Sequence, residues 1–400
     1  MNLSGYRKFR LLLPALLLAP VPAFAQVTAT VSASGQYEYN SNVFDLQPGF
    51  TFAGLGTDPR LSDEDYTYSG AVNLKDQWKQ QTIFGDVSGS EVKYDYYSHL
   101  NHYIYSVDAG WNGTFASVVD GNLEVLRTHS MVPFTFVFQS ALTLSTEQRE
   151  QGGLGLQFLP RWRAEASAYT HTVTWPLPGD PNLAVDESEG ELALKYVGTA
   201  GLTSGLSGEY LSGHYTGATN AALNATYRQW SGDWVVNEMS GRSSLTSAIG
   251  YSSRTTPGFT SRVNNISAVT GNINYSNQVT GKTSLSVALA RLIHTYITNS
   301  GSEIDNSATL TANWQATYKT GFVVSYIWDY AQLPGQGNSP FGSNRLDHIQ
   351  TASASITYQA LRWLVFKPFV NYDTRNSDFI GANFDNWVVG ANLTVQWQSP

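Results

Sequence analysis

The sequence predicts an all-β protein, a single closed antiparallel transmembrane β-barrel of about 18 strands, with 16 the alternative count. Three observations predict it. Apolar and polar residues alternate at period two along nearly the whole chain. Short joints alternate with long polar loops, and the chain opens on an export leader.

The leader comes first. Residues 1–25 carry a basic start (Arg7, Lys8, Arg10), an apolar stretch from Leu11 to Leu18 and the small-x-small sequence Ala23-Phe24-Ala25. That apolar stretch is far shorter than the roughly 20 residues a spanning helix needs, so a signal peptide cut before Gln26 is expected. The chain has no Cys and relies on no disulfide. Residues 26–400 are expected to form the barrel, with no linker or charge block dividing them. Charged residues are only 14% and aromatic residues 13%, poor for a soluble globule. The formal charge is −8, and loss of the three basic leader residues leaves −11, which argues against a nucleic-acid partner.

The strands follow in order. Val31, Ala33, Gly35, Tyr37 and Tyr39 oppose Ser32, Ser34, Gln36 and Glu38. Tyr66, Tyr68, Val72 and Leu74 oppose Asn73 and Lys75, and Tyr103 to Trp111 oppose Ser106 and Asp108. Ala308, Leu310, Ala312 and Trp314 oppose Thr309, Thr311 and Asn313. At the end, Trp387 and Trp397 bracket Val389, Ala391, Leu393 and Val395, a span of about 33 Å along a strand and nearer 25 Å once tilted. Strands are predicted over 28–40, 65–76, 81–92, 101–111, 114–127, 141–157, 162–172, 187–197, 200–211, 226–238, 243–254, 266–277, 283–295, 305–316, 320–330, 347–359, 362–374 and 385–397. The segments 130–150 and 217–239 have the weakest pattern.

Short turns are placed at Trp111-Asn112-Gly113, Leu159-Pro160, Gly198-Thr199, Met239 to Arg242, Val279 to Lys282, Thr317 to Lys319 and Tyr358 to Arg362. Long loops include "DLQPGFTFAGLGTDPRLSDE", "WPLPGDPNLAVDE" and "QLPGQGNSPFGSNRLD". Lipid offers no partner to a backbone amide, so a sheet there must close and lose its edges. A packed sandwich would not keep hydroxyls and amides on one face of every strand. A parallel β-helix would show a shorter stacked repeat.

Parity assigns the lumen. Candidate pore-lining residues are Glu38, Lys75, Asp108, Glu124, Glu165, Tyr169, Glu191, Lys195, Glu209, Asp329, Trp363 and Lys367, with Asp86, Asp120, Asn122, Asn272, His294 and Phe369 on the same parity. Carboxylates exceed cations, so the wall concentrates cations and opposes strongly anionic solutes. The seven histidines are scattered without metal-ligand or nucleophile–base spacing. No catalytic, cofactor or metal site is expected, and the protein is expected not to be an enzyme.

The phrase "GQYEYNSNVF" (Gly35 to Phe44), the run "EQREQGGLGLQFLPRWRAEASAY" (Glu147 to Tyr169) and the ending "LRWLVFKPFVNYDTRNSDF…WVVGANLTVQWQ" resemble outer-membrane barrels of the porin-2-like group. More narrowly they resemble the EpsL-type barrels of exosortase-associated exopolysaccharide operons. One departure is that Trp397 is followed by Gln398-Ser399-Pro400 instead of closing the chain. The resemblance implies the outer membrane of a Gram-negative bacterium and export of an extracellular polysaccharide. It also implies outer-membrane lipid, barrel assembly machinery and periplasmic components of an export machine as partners. A general or solute-selective diffusion porin is the alternative, and a loop-bearing adhesin barrel with a shut lumen is a third reading.

Overall fold

Alternation at period two becomes eighteen strands, each paired with its chain neighbours and the last with the first. In the computed structural model, residues 26–51, 55, 60–134, 140–177, 180–199, 201–217, 224–256, 265–295, 302–333 and 345–399 are described. The expected leader, 1–25, lies outside them. The strands are β1 (Gln26–Asn40), β2 (Asp63–Trp78), β3 (Gln81–Tyr94), β4 (His102–Phe115), β5 (Val119–Met131) and β6 (Leu144–Leu159). They continue with β7 (Trp162–Leu177), β8 (Asp180–Val197), β9 (Thr203–Thr216), β10 (Thr226–Ser240), β11 (Ser243–Thr255) and β12 (Ile266–Gln278). The last six are β13 (Thr283–Thr295), β14 (Ser302–Gln315), β15 (Thr320–Leu333), β16 (Arg345–Leu361), β17 (Leu364–Ser377) and β18 (Phe384–Gln398).

Every pair is antiparallel, and β1 pairs both β2 and β18, so the sheet closes with no free edge. Val31 lies opposite Trp397, and Ser399 N donates to Ala29 O at 2.8 Å, carrying the seam past the end of β18. The chain is a single closed antiparallel transmembrane β-barrel. Its outer face carries the exposed Val72, Leu74, Val87, Leu192, Leu206, Leu310, Val389 and Leu393. Cross-strand rings band both ends of that face. Tyr37–Tyr66, Tyr210–Trp230 and Tyr372–Trp387 lie toward the long loops, at 5.5, 4.3 and 4.5 Å. Trp162–Tyr196 and Trp314–Phe322 lie toward the short turns, at 5.6 and 5.1 Å. These are the two interfacial girdles of a membrane barrel.

Two predicted joints and one predicted long loop move. The first, at Trp111-Asn112-Gly113, lies inside β4, where Asn112 pairs Asn122 and Gly113 pairs Gly121. The chain reverses instead at Ala116 and Ser117, both left-handed with φ of 50° and 57°. Second, "WPLPGDPNLAVDE" is largely strand, because β7 and β8 pair as far as Leu177 and Asp180. The register shifts between Trp175 and Leu177, so Pro176, which has no N–H to give, falls at a bulge. Third, β16 continues to Leu361, and the turn is Arg362-Trp363.

The long loops build an apolar cap. Val43, Phe44 and Leu46 after β1 pack with Tyr97 and Leu100 after β3 and Phe134 after β5. Asp63 anchors the cap by accepting from Tyr96 N and Tyr97 N, each at 2.9 Å. Asn42 ties it to the last hairpin through Asn386 and Asp385 O.

Candidate functional site: the narrowed lumen

Cross-strand partners share a face, so the register locates each lumenal side chain. Glu38 accepts from Gln36 Nε2 at 2.9 Å, and Lys75 shares a hollow with Asp86 and Asn112. Asp108 lies opposite Asp86 on β3 with Leu126 as its β5 partner, and Glu124 accepts from Gln151 Nε2 at 2.8 Å. Glu165 accepts from Arg163 Nε at 2.6 Å and from Lys195, while Arg163 forks onto both Asp120 oxygens at 2.6 and 2.7 Å. Glu191 faces Glu209 directly across β8 and β9. Asp329 pairs Ser307, and Lys367 pairs Asn392. Tyr169 lies 4.8 Å beneath the Arg149 guanidinium, within cation–π range. Trp363 stands apart: it is half exposed in the β16–β17 turn, off the strand wall.

A contact between non-adjacent strands is made by residues that strand parity alone did not single out. Pairing of β12 with β13 stops at Gly271–Arg291, although both strands run further. The end of β13 therefore parts from β12 and leans inward, with Ile266, Ala268 and Ile293 packed in the gap. Its last residue, Thr295, donates to Glu187 Oε1 on β8 at 3.0 Å, though four strands separate β8 from β13 along the wall. Arg254 on β11 clamps the same point. It donates to Thr295 Oγ1 at 2.8 Å, Ser302 Oγ and Ile293 O at 3.3 Å, and Gln229 Oε1 at 3.0 Å.

Tyr227 on β10 completes the clamp by donating to Glu187, with Arg254 4.7 Å above its ring. Gly213 on β9 makes room for that ring, because a Cβ there would overlap it. His171 on β7 bridges Glu187 Oε2 at 3.1 Å and Glu147 Oε1 at 2.9 Å. Behind these groups Trp175, Val185, Leu211 and Tyr215 fill the inner face of β7 to β9. Four acceptors and a ring hold the buried guanidinium in place.

Below the clamp lies a cavity of about 490 Å³ bounded by β7 to β13. Its wall carries Glu189, Glu191, Glu209 and Asp233 together with Tyr169 and Asn272. Glu187 and Glu189 share parity with Glu191 in "DESEGE", so that pattern could have revealed them. No such signal exists for Arg254 meeting Thr295. Among the described residues no group of His, Asp or Glu is placed to hold a metal ion.

No protein-family model and no curated protein matches this chain. Solved structures match it in fold. The FrpB iron transporter of Neisseria meningitidis, in the F5-1 apoprotein form, is similar over 87% of this chain and 61% of its own, at 9% identity and a TM-score of 0.50. OpdK of Pseudomonas aeruginosa is similar over 92% and 99%, at 11% identity and 0.47. OccAB4 of Acinetobacter baumannii is similar over 93% and 98%, at 12% identity and 0.45. The chain spans about three fifths of the length of the FrpB structures it matches. The likeness to the FrpB apoprotein establishes the barrel fold alone.

Proposed function

We propose that the protein is an outer-membrane diffusion channel for compact hydrophilic solutes. A channel or transporter role is what a closed eighteen-strand wall with a polar inner face supports, and catalysis is not part of it. The observation that carries the solute reading is the Glu187–Thr295 contact. It bridges β8 to β13 across part of the lumen, which favours small solutes over a polymer chain. The polysaccharide-export role implied by the sequence resemblance therefore gives way to the diffusion-porin alternative.

The test is single-channel conductance of the purified protein in a planar bilayer, together with swelling of liposomes in neutral sugars of graded size. Discrete current steps and faster swelling with mono- than with trisaccharides are expected. Protein that inserts but gives neither would sink the channel reading. Swelling insensitive to sugar size would sink the compact-solute reading.

A further inference from the structure

We infer that the short-turn rim of the barrel is a docking surface for anionic phospholipid headgroups of the phosphatidylglycerol class. This goes beyond the channel reading and does not depend on it. Eight short turns join the strands at that end, residues 79–80, 116–118, 160–161, 198–202, 241–242, 279–282, 316–319 and 362–363. Six carry one cation apiece, Lys79, Arg161, Arg242, Lys282, Lys319 and Arg362, and none of the eight carries Asp or Glu. Between strands at the other end, the described residues hold Asp45, Asp95 and Asp378 against Arg60. The two ends of the wall therefore differ in sign.

Among the described residues none of the six cations has a carboxylate within ion-pair distance, whereas Arg163, Lys195, Arg345 and Arg375 all do. Their contacts are with girdle rings and turn carbonyls. Lys79 lies 5.4 Å above the Trp78 ring. Arg161 donates to the Tyr196 hydroxyl at 2.7 Å, and Tyr196 packs on Trp162 in the girdle. Lys282 Nζ and Lys319 Nζ each donate at 3.1 Å, to Ala316 O and Ala360 O at the following turn. An ammonium has three donors, and each of these contacts uses one.

Two arguments favour lipid as the occupant. Girdle rings mark the level where headgroups begin, so cations in the turns just beyond them stand at phosphate depth. No two consecutive turns lack a cation, so the positive charge runs round the whole circumference. A single protein partner would meet one arc of that ring. The lipid annulus meets all of it.

The experiment uses the full mature chain purified in a nonionic detergent. Phosphatidylglycerol and phosphatidylcholine with the same acyl chains are added in equal amounts, and the lipid retained is read by native mass spectrometry. Wild-type protein is expected to retain phosphatidylglycerol about fivefold or more over phosphatidylcholine at low salt, the ratio that one engaged surface cation supplies. The preference is expected to fall as salt rises. The variant Lys79→Gln, Arg161→Gln, Arg242→Gln, Arg362→Gln is expected to lose most of it. That variant spares Lys282 and Lys319, which also border a hollow lined by the lumenal Asn313. Arg60→Gln with Lys93→Gln, toward the long loops, is expected to keep the preference.

Equal retention of the two lipids by the wild type would overturn the docking surface. So would a preference that survives in the quadruple variant, or one that the long-loop variant loses as fully. Displacement of the lipid by millimolar glycerol phosphate would assign the rim to soluble anions instead. Heat-dependent gel migration reports whether each variant is folded. If the quadruple variant is not, the pair Lys79→Gln, Arg161→Gln takes its place, and an undiminished preference there would equally overturn the surface.

Discussion

Thr295 at the end of β13 and Glu187 on β8 meet at 3.0 Å, with Arg254 holding Thr295 from the other side at 2.8 Å. Residues 108 apart in the chain thus narrow the lumen at one level. Replacing Arg254 with Met removes four hydrogen bonds at once while keeping the bulk of the stem. Larger single-channel conductance is expected, with a stability loss of about 1–3 kcal/mol from the acceptors left unpaired. Unchanged conductance would mean that the clamp does not limit the current.

Asp45 lies in the cap, outside the strands. Burial pushes its carboxyl up to about 7, against a hydrogen bond from Asn386, with Asp373 adding to the rise and Arg375 opposing it. The docked loop therefore holds a proton that the undocked loop has released once the pH exceeds the ordinary carboxylate value. That stability is fully present below this ordinary value and is lost as the pH rises through about 7. Amide exchange at Val43 to Leu46 should be slower at pH 5 than at pH 8. Asp45→Asn keeps an acceptor for Asn386 and should flatten the difference, since Asn tolerates the positive φ of 48° at this position.

Leu393 sits near mid-height on the outer face of β18, between Trp387 and Trp397. Leu393→Arg should cost about 2–4 kcal/mol in guanidinium unfolding from liposomes. A cost near zero would place this face in water.

Ala116 occupies a left-handed turn at φ 50° without being glycine. Ala116→Gly relieves the clash between Cβ and the following carbonyl but adds chain freedom to the unfolded state. A net gain of roughly 0.5–1 kcal/mol is expected by the same unfolding assay. A loss would mean that Ala116 makes contacts that outweigh its backbone strain.

What the sequence determined was local. Period two assigns a face to each residue of a strand, and closure in lipid decides which face is wet. Parity therefore puts Glu191 with Lys195 on one face of β8 and Glu165 with Tyr169 on one face of β7, and that face is the one expected to be wet. Alternation does not say where a strand stops. Asn112 and Gly113 look like a turn yet pair in the ladder, and Pro176 is accommodated by a bulge. The same blindness put Trp363 on the wall instead of in the turn after Leu361.

Only the tertiary structure could bring Arg254, Thr295 and Glu187 together. Their meeting depends on β13 parting from β12 beyond Arg291 while it stays paired with β14. That depends on how the whole ring of strands closes and on apolar residues filling the gap. Neighbouring residues in a chain share a backbone and hence a parity. Residues on non-adjacent strands of a closed sheet share only the space it encloses.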